Sequence, residues 1–433
     1  MKKLINFLGM MLLLVTTSMF MSCGEPEPPC PEIDWLDPEL PSVKETYQDI
    51  FDSFGFCCSS WQFNNPKVQQ GLAKHANSFT LENELKPATM LGNTAGSLKD
   101  FTDSNGVTIK VPNTLSGLEQ LGGYLKILKD NNLKMRGHVL TWHSQTPEWF
   151  FAKDYKPTYS GDLISNLVSK EEMTARHEWY IKTILEYVSD WETKNGYGEG
   201  NRIIWAWDVV NEAVADDGTS SNYLRGATSS TKNIKPEGYP AGSRWYQIYE
   251  SDEFIINAFR FANAYVPSDV LLAYNDYNEY QPNKCEQILD LIDKIRNGAT
   301  KTINGKSVAP RIDVMGMQSH INQWTDLNNY ESCLKKYLNA GLDVHVTEFD
   351  VEKPSQSVAK NHYSQYFKML KKYGKNYSGK NKIRNVTIWG INNEFSWVSK
   401  NGTNYPLLFK RKGNSFDSFV TNDSFFAVID AAK

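Results

Sequence analysis

The stretch Arg202-Ile203-Ile204-Trp205-Ala206-Trp207-Asp208-Val209-Val210-Asn211-Glu212-Ala213 decides how this chain folds. From Ile203 to Val210 every residue except Asp208 is apolar, aromatic or β-branched. Such a run suits a strand covered on both faces, as in a parallel sheet wrapped by helices. It stops at Asn211-Glu212, where the strand should open into a loop, and parallel α/β folds collect their chemistry at the carboxyl ends of strands. A Glu flanked there by Trp205 and Trp207 is expected to sit in a setting that raises its pKa and makes it a usable acid. The same two residues would also serve as a plain helix cap, so the remaining sequence has to discriminate.

Working outward, strand-like runs recur near Gly55–Ser59, Ser78–Leu81, Lys134–Trp142, Ile203–Val210, Val270–Asn275, Ile312–Ser319, Asp343–Thr347 and Val386–Ile391. Helical patterns such as Ser116–Asp130, Lys170–Ser189 and Glu331–Ala340 fall between them. Alternating β and α segments imply parallel strands joined by right-handed crossovers, and eight of them imply a closed (β/α)8 TIM barrel, an α/β fold with a single catalytic domain. The long, Gly/Ser/Asn/Asp-rich connections Leu91–Leu115 and Asp216–Arg244 each follow a strand, so both are expected at the catalytic mouth, shaping the cleft. Strict strand alternation cannot point both Asn211 and Glu212 into that cleft. A bulge or break is therefore expected at the end of the fourth strand.

Hydrophobic residues make up 40% of the 433, ample for one core. The excess is aromatic, with 12 Trp, 22 Tyr and 21 Phe, and flat aromatic faces are what a carbohydrate cleft needs. A net charge of −4 argues against a nucleic-acid partner. At the amino end, Lys2-Lys3 precede an apolar run from Leu4 to Phe20, short for a membrane span and suited to an export signal. The run ends at Ser22-Cys23-Gly24, which resembles a lipoprotein processing site. Residues 1–22 are thus expected to be a signal peptide and Cys23 the lipidated residue, with residues 23–42 a Pro/Glu-rich solvated tether and residues 43–433 the catalytic domain. The implied location is the envelope of a Gram-negative bacterium, as a membrane-anchored monomer. Cys30, Cys57, Cys58, Cys285 and Cys333 show no metal-ligand spacing; Cys57 and Cys58 read as small buried hydrophobes, and a Cys285–Cys333 disulfide is left open.

Polar and aromatic residues gather where the strands end: Thr80-Leu81-Glu82-Asn83-Glu84-Leu85-Lys86, Arg136-Gly137-His138 with Trp142-His143-Ser144-Gln145, and Tyr274-Asn275-Asp276-Tyr277-Asn278. Gln318-Ser319-His320, His345-Val346-Thr347-Glu348-Phe349-Asp350 and Trp389-Gly390 continue the series towards Trp397. One such group is an ordinary barrel-end network; six at one end of a barrel point to a shared site. The sequence offers no Cys/His metal cluster, no Gly-rich phosphate loop and no nucleophilic Ser in a strained elbow, and no cofactor is expected. What remains is two carboxyl groups, Glu212 and Glu348, between aromatic walls. Two carboxyls across a cleft suffice for glycosidic bond hydrolysis, one protonating the leaving oxygen and the other attacking or activating water. Strand phase places Asp350 on the face of Glu348, and His320 on the face of Gln318.

Phe79 to Lys86, Arg136-Gly137-His138, Trp142-His143-Ser144-Gln145-Thr146-Pro147, Trp207-Asp208-Val209-Val210-Asn211-Glu212, Tyr274 to Asn278, Gln318-Ser319-His320 and Val346-Thr347-Glu348 together resemble glycoside hydrolase family 10, the retaining endo-β-1,4-xylanases. The similarity runs in order from about Tyr47 to the carboxyl end. It implies Glu212 as acid/base and Glu348 as nucleophile, Asn211 on the sugar 2-hydroxyl, and His320 and Asp350 behind the nucleophile. It further implies Glu82, Asn83 and Lys86 on the non-reducing side, His138, Trp142, Gln318, Trp389 and Trp397 around the sugar being cleaved, and Tyr277 among the substrate contacts. Xylan and xylo-oligosaccharides are the implied ligands. Two positions depart from the family: Asn393 and Lys410 stand where it usually has Asp. Two other classes stay open, a binding-only glycan lipoprotein and a barrel glycosidase acting on β-glucan or mannan.

Overall fold

The computed structural model describes residues 30–161, 163–231, 242–399 and 404–433. Cys23 and the apolar amino-terminal run lie outside them. Eight strands carry the fold: β1 (Ser53–Cys58), β2 (Ser78–Leu81), β3 (Lys134–Trp142), β4 (Ile204–Asn211), β5 (Leu271–Asp276), β6 (Val314–Met317), β7 (Asp343–Val351) and β8 (Ile383–Ile388). Each pairs in parallel with its neighbours in sequence, and β8 returns to β1, so the sheet closes on itself. This is the expected barrel, with every strand edge paired.

The outer layer includes α1 (Pro66–His75), α2 (Leu118–Asp130), α3 (Lys170–Lys194), α4 (Glu253–Tyr265), α5 (Pro282–Arg296), α6 (Leu327–Asn339), α7 (Gln356–Leu370) and α8 (Asp423–Ala432). Helix starts follow local chemistry: Asn65, Ser169, Asp326, Ser355 and Asn422 each accept a backbone N–H from the first turn, supplying bonds the helix cannot make itself. Helix α3 runs one turn beyond Ser189. Its buried Glu192 accepts the amides of Ile203 and Ile204 at 2.8 and 3.1 Å and so fixes where β4 begins.

The tether expectation is corrected for residues 30–42. Trp35 is fully buried against His75, Phe409 and Phe419, and Leu40 is buried too. The Trp35 amide bonds to the Phe419 carbonyl at 3.1 Å, and the Thr421 amide to the Ile33 carbonyl at 2.9 Å. Pro and Glu dominate the composition here, but Ile33, Trp35, Leu36 and Leu40 supply enough apolar surface to order the segment on the barrel. The loop expectation also needs correction. No residue of Leu91–Leu115 lines the cleft; the segment forms a hairpin (Leu98–Thr102, Thr108–Pro112) whose Ser104 bonds to Glu178 on α3. Cys285 and Cys333 are buried free thiols rather than a disulfide, and Cys57 and Cys58 are buried as expected.

Candidate active site

The fourth strand ends as its sequence requires. Its register slips by one residue against β5 between Asp208 and Val210, and Glu212 then adopts a left-handed backbone with φ of 55°. That conformation is costly for a Glu, and it persists only where its surroundings over-determine it. Here the Glu212 amide bonds to the Asn275 carbonyl at 2.9 Å, and the amides of Ala213 and Val214 both bond to the Tyr274 hydroxyl, at 3.0 and 3.1 Å. Arg225 adds its Nε to the Glu212 carbonyl at 2.8 Å and its Nη2 to the Tyr277 hydroxyl at 3.0 Å. Bulge and left-handed turn together bring the Asn211 and Glu212 side chains to the same cleft.

That cleft, about 550 Å³ at the carboxyl ends of the strands, is lined by Glu82, Asn83, Lys86, His138, Trp142, Asn211, Glu212, Tyr277, Gln318, His320, Glu348, Trp389 and Trp397. These are all the site residues expected from sequence except Asp350, which is buried behind His320, and Cys23. The setting of Glu212 differs from the expectation. Trp205 points into the barrel interior against His345 and Ser78, and Trp207 packs in the hydrophobic core; neither touches Glu212. Its Oε2 instead accepts the Trp142 indole N–H at 3.0 Å, and its Oε1 the Gln318 amide at 3.0 Å and that of Asn211 at 3.3 Å.

Glu348 is nearly buried, and its Oε1 accepts the Asn275 amide at 2.8 Å while its Oε2 lies 3.2 Å from His320 Nε2. The other nitrogen of that ring meets Asp350 Oδ1 at 2.9 Å. Burial opposes charge on Glu348. The hydrogen bond from His320, with the positive surroundings of His138, His320 and Lys86, outweighs it and holds the carboxyl down at about 2. Burial likewise opposes charge on His320, but the charge of Asp350 and its hydrogen bond, then those of Glu348, push it up to about 10. The pair therefore rests as imidazolium beside carboxylate.

The rest of the cleft is built by local bonding. Lys86 donates to Asn83 Oδ1 at 3.0 Å and stands 5.0 Å from the Trp142 ring centre. Burial pushes the Glu82 carboxyl up, against the pull of Lys86. Trp397 donates its indole N–H to Asp350 Oδ2 at 2.8 Å and stands edge-on to His320, and Trp389 stands edge-on to His138. Beneath them, Asp208 bonds His138 Nδ1 at 3.0 Å and pairs with the fully buried Arg136. Lys284 sits 3.9 Å from the Tyr277 ring centre and is ion-paired with Asp276, so one face of Tyr277 is already covered and the ring is held in place. Sequence alone points to no role for Asn275, Arg225, Asp208 or Lys284. Asn275 was visible as a polar residue at the end of a buried strand; the other three gain their meaning only from contacts distant in the chain.

The sequence pattern of Glycosyl hydrolase family 10 matches residues 42–422. The chain belongs to this family. Curated relatives include endo-1,4-beta-xylanase A of Thermotoga maritima, 33% identical over 86% of this chain and 30% of its own length. Endo-1,4-beta-xylanase B of Butyrivibrio fibrisolvens is 33% identical over 90% of this chain and 53% of its own. The chain thus spans about a third to a half of such relatives. Among solved structures, the CBM22-1 and GH10 modules of Clostridium thermocellum endo-1,4-beta-D-xylanase 10B, complexed with xylohexaose, superpose with a TM-score of 0.68 at 30% identity, covering 90% of this chain and 67% of that one. A psychrophilic family 10 endo-beta-1,4-xylanase gives 0.65 at 27% identity, over 90% of this chain and 99% of that one.

For a family 10 chain the two departures prove local. Asn393 is buried, and its Oδ1 accepts the Leu407 amide at 2.9 Å, stapling the loop that bears Trp397. Lys410 forms an ion pair with Glu32 on the folded amino-terminal segment. Neither side chain lines the cleft.

Proposed function

We propose that this chain is a retaining endo-β-1,4-xylanase that hydrolyses internal bonds of xylan by double displacement. The observation that carries this reading is a pair of carboxyls in one sugar-sized cleft, one of them held ionised. Glu348, kept as carboxylate by His320, attacks the anomeric carbon. Glu212 gives its proton to the departing glycosidic oxygen, and a glycosyl ester of Glu348 forms. Glu212 then takes a proton from water, which attacks the same carbon and frees Glu348, so the β configuration returns. Relatives named as endo-1,4-beta-xylanases, and the xylohexaose complex of the similar Clostridium thermocellum enzyme, support the choice of xylan.

Reducing-sugar release from xylan, β-glucan and mannan, measured side by side, tests the substrate: xylan should be preferred, and a β-glucan or mannan preference would overturn the reading. Proton NMR of the first product should show the β anomer. Glu348→Ala should lose turnover on every substrate, whereas Glu212→Ala should keep the first step on an aryl xylobioside with a good leaving group and regain the second with azide.

We also infer a diacylglycerol anchor on Cys23 and a place in the envelope of a Gram-negative cell, on the strength of Ser22-Cys23 closing a short apolar run. Labelled fatty acid should enter the wild-type protein in cells and not Cys23→Ala.

A further inference from the structure

Trp61 stands on the short turn Ser60–Phe63 that follows β1, and half of its surface is in water. Strand β1 lies between β8 and β2 in the barrel, and the loops after β2 and β8 line the part of the cleft that the family resemblance implies is its non-reducing side. Contacts tie the turn to both loops. The Ser60 amide bonds to Glu84 Oε1 at 2.6 Å, and Glu84 Oε2 accepts the amide of Asn83, a cleft residue, at 3.1 Å. On the other side the Trp61 ring meets Phe395 edge to face at 4.9 Å, and Phe395 is two residues from Trp397. Trp61 is thus tied to the loops carrying Asn83 and Trp397, outside the residues that line the cleft.

Behind it the arrangement is braced. Phe395 stacks on Phe416 at 6.0 Å with 9° between the rings, and the Arg411 guanidinium lies 5.4 Å from one ring centre and 4.7 Å from the other. Among the described residues the large apolar side chains left exposed are Trp61, Leu98, Tyr159, Trp324, Trp397 and Phe416. Two of these six, Trp61 and Phe416, lie against Phe395, and a third, Trp397, lines the cleft two residues further along the same loop. Aromatics serving only to hold the loops together would gain by being covered. Trp61 and Phe416 are braced by ring and guanidinium contacts yet left exposed, as a stacking surface requires.

We propose that Trp61, propped by Phe395 and extended by Phe416, is a platform for xylose units of a β-1,4-xylan chain beyond those held by Glu82, Asn83 and Lys86. The ring substituents of a β-linked xylose are equatorial and its hydrogens axial, so both faces of an unbranched segment present C–H surface to an indole. The inference rests on the xylanase reading and deepens it, assigning to this chain a long non-reducing side.

The test compares xylohexaose with an aryl xylobioside, whose two sugars are too few to reach Trp61. In Trp61→Ala the ratio of kcat/KM on xylohexaose to that on the aryl xylobioside should fall about 3- to 10-fold. Cleavage of reducing-end-labelled xylohexaose should shift towards bonds nearer its non-reducing end. Trp61→Phe, which keeps a ring, should retain most of the ratio, and Phe416→Ala should lower it less than Trp61→Ala. An unchanged ratio and cleavage pattern in Trp61→Ala would overturn the platform, as would a parallel fall on both substrates. Wild-type protein that cleaves β-glucan oligosaccharides but neither xylo-substrate would instead overturn the xylanase reading itself.

Discussion

Glu212 and Glu348 are linked through two amides that share one acceptor, Oδ1 of Asn211. Gln318 donates its amide both to that oxygen at 3.1 Å and to Glu212 at 3.0 Å; Asn275 donates to it at 3.0 Å and to Glu348 at 2.8 Å. One acceptor and two amides thus set where both carboxyls stand. Asn275→Asp keeps the shape and removes the donor, placing a carboxyl between two acceptors. We expect kcat/KM on an aryl xylobioside to fall about 100-fold, or roughly 3 kcal/mol of barrier, with little change in far-UV circular dichroism. A loss below about 3-fold would show that Asn275 does not position Glu348.

His320 and Glu348 hold each other's charge, and pH should expose this. Removing the imidazolium in His320→Asn lets the Glu348 carboxyl rise from about 2 towards its ordinary range, so the acid limb of kcat/KM should move to higher pH. Stability should follow in a defined window. The folded His320, at about 10, lies above an unfolded value of about 6.5, so its contribution is complete below the latter and is lost as pH rises towards the former. The folded Glu348, at about 2, lies below an unfolded value of about 4.3; its contribution is complete above 4.3 and is lost as pH falls. Urea titration should therefore show the deficit of His320→Asn largest at about pH 4.5–6.5 and smaller near pH 10.

Glu279 behaves in the opposite sense. Its buried Oε1 accepts the Ser319 amide at 3.1 Å and the Ser319 hydroxyl at 3.3 Å, bracing the left-handed Ser319 that precedes His320. Burial above all pushes this carboxyl up to about 8, so the folded state keeps a proton that the unfolded chain gives up near 4.3. That contribution is present at low pH and is lost as pH rises through about 8. Glu279→Gln mimics the protonated form. Its melting temperature should match wild type near pH 5 and exceed it by a few degrees at pH 9, as read by calorimetry.

The barrel was legible because strand and helix periodicity alternates along most of the chain, and the site because motif residues fall at strand ends. What escaped depended on side-chain direction and distant pairing. Trp205 and Trp207 neighbour Glu212 in sequence, yet a bulge and a left-handed turn lie between them and it, so adjacency in sequence does not become contact in space. Lys284 and Asp276 came from separate elements, and only the fold sets that ion pair under Tyr277. The segment from Cys30 to Ser42 reads as a tether by composition, whereas the spacing of Ile33, Trp35 and Leu40 is what orders it on the barrel.

Trp397 should decide between xylose and glucose. Glucose carries a hydroxymethyl group at C5 where xylose carries hydrogen, so a bulky wall near C5 rejects glucose on steric grounds. We propose that Trp397, beside Trp389, forms that wall. Its ring stands 4.9 Å from the His320 ring, its indole N–H is fixed to Asp350 at 2.8 Å, and 59% of its surface is open. Asn393 strengthens the wall by holding the loop to Leu407. Wild-type protein should therefore favour an aryl xylobioside over the matching cellobioside by about 10- to 200-fold in kcat/KM. Trp397→Ala opens the wall but also frees Asp350, so its overall rate should fall while the preference for xylose narrows. Trp397→Phe separates the two effects: the ring keeps much of the wall while the bond to Asp350 is lost, so the preference should persist and the pH profile should change. If Trp397→Phe narrows the preference as far as Trp397→Ala, discrimination comes from the placement of Asp350 and His320 rather than from the wall.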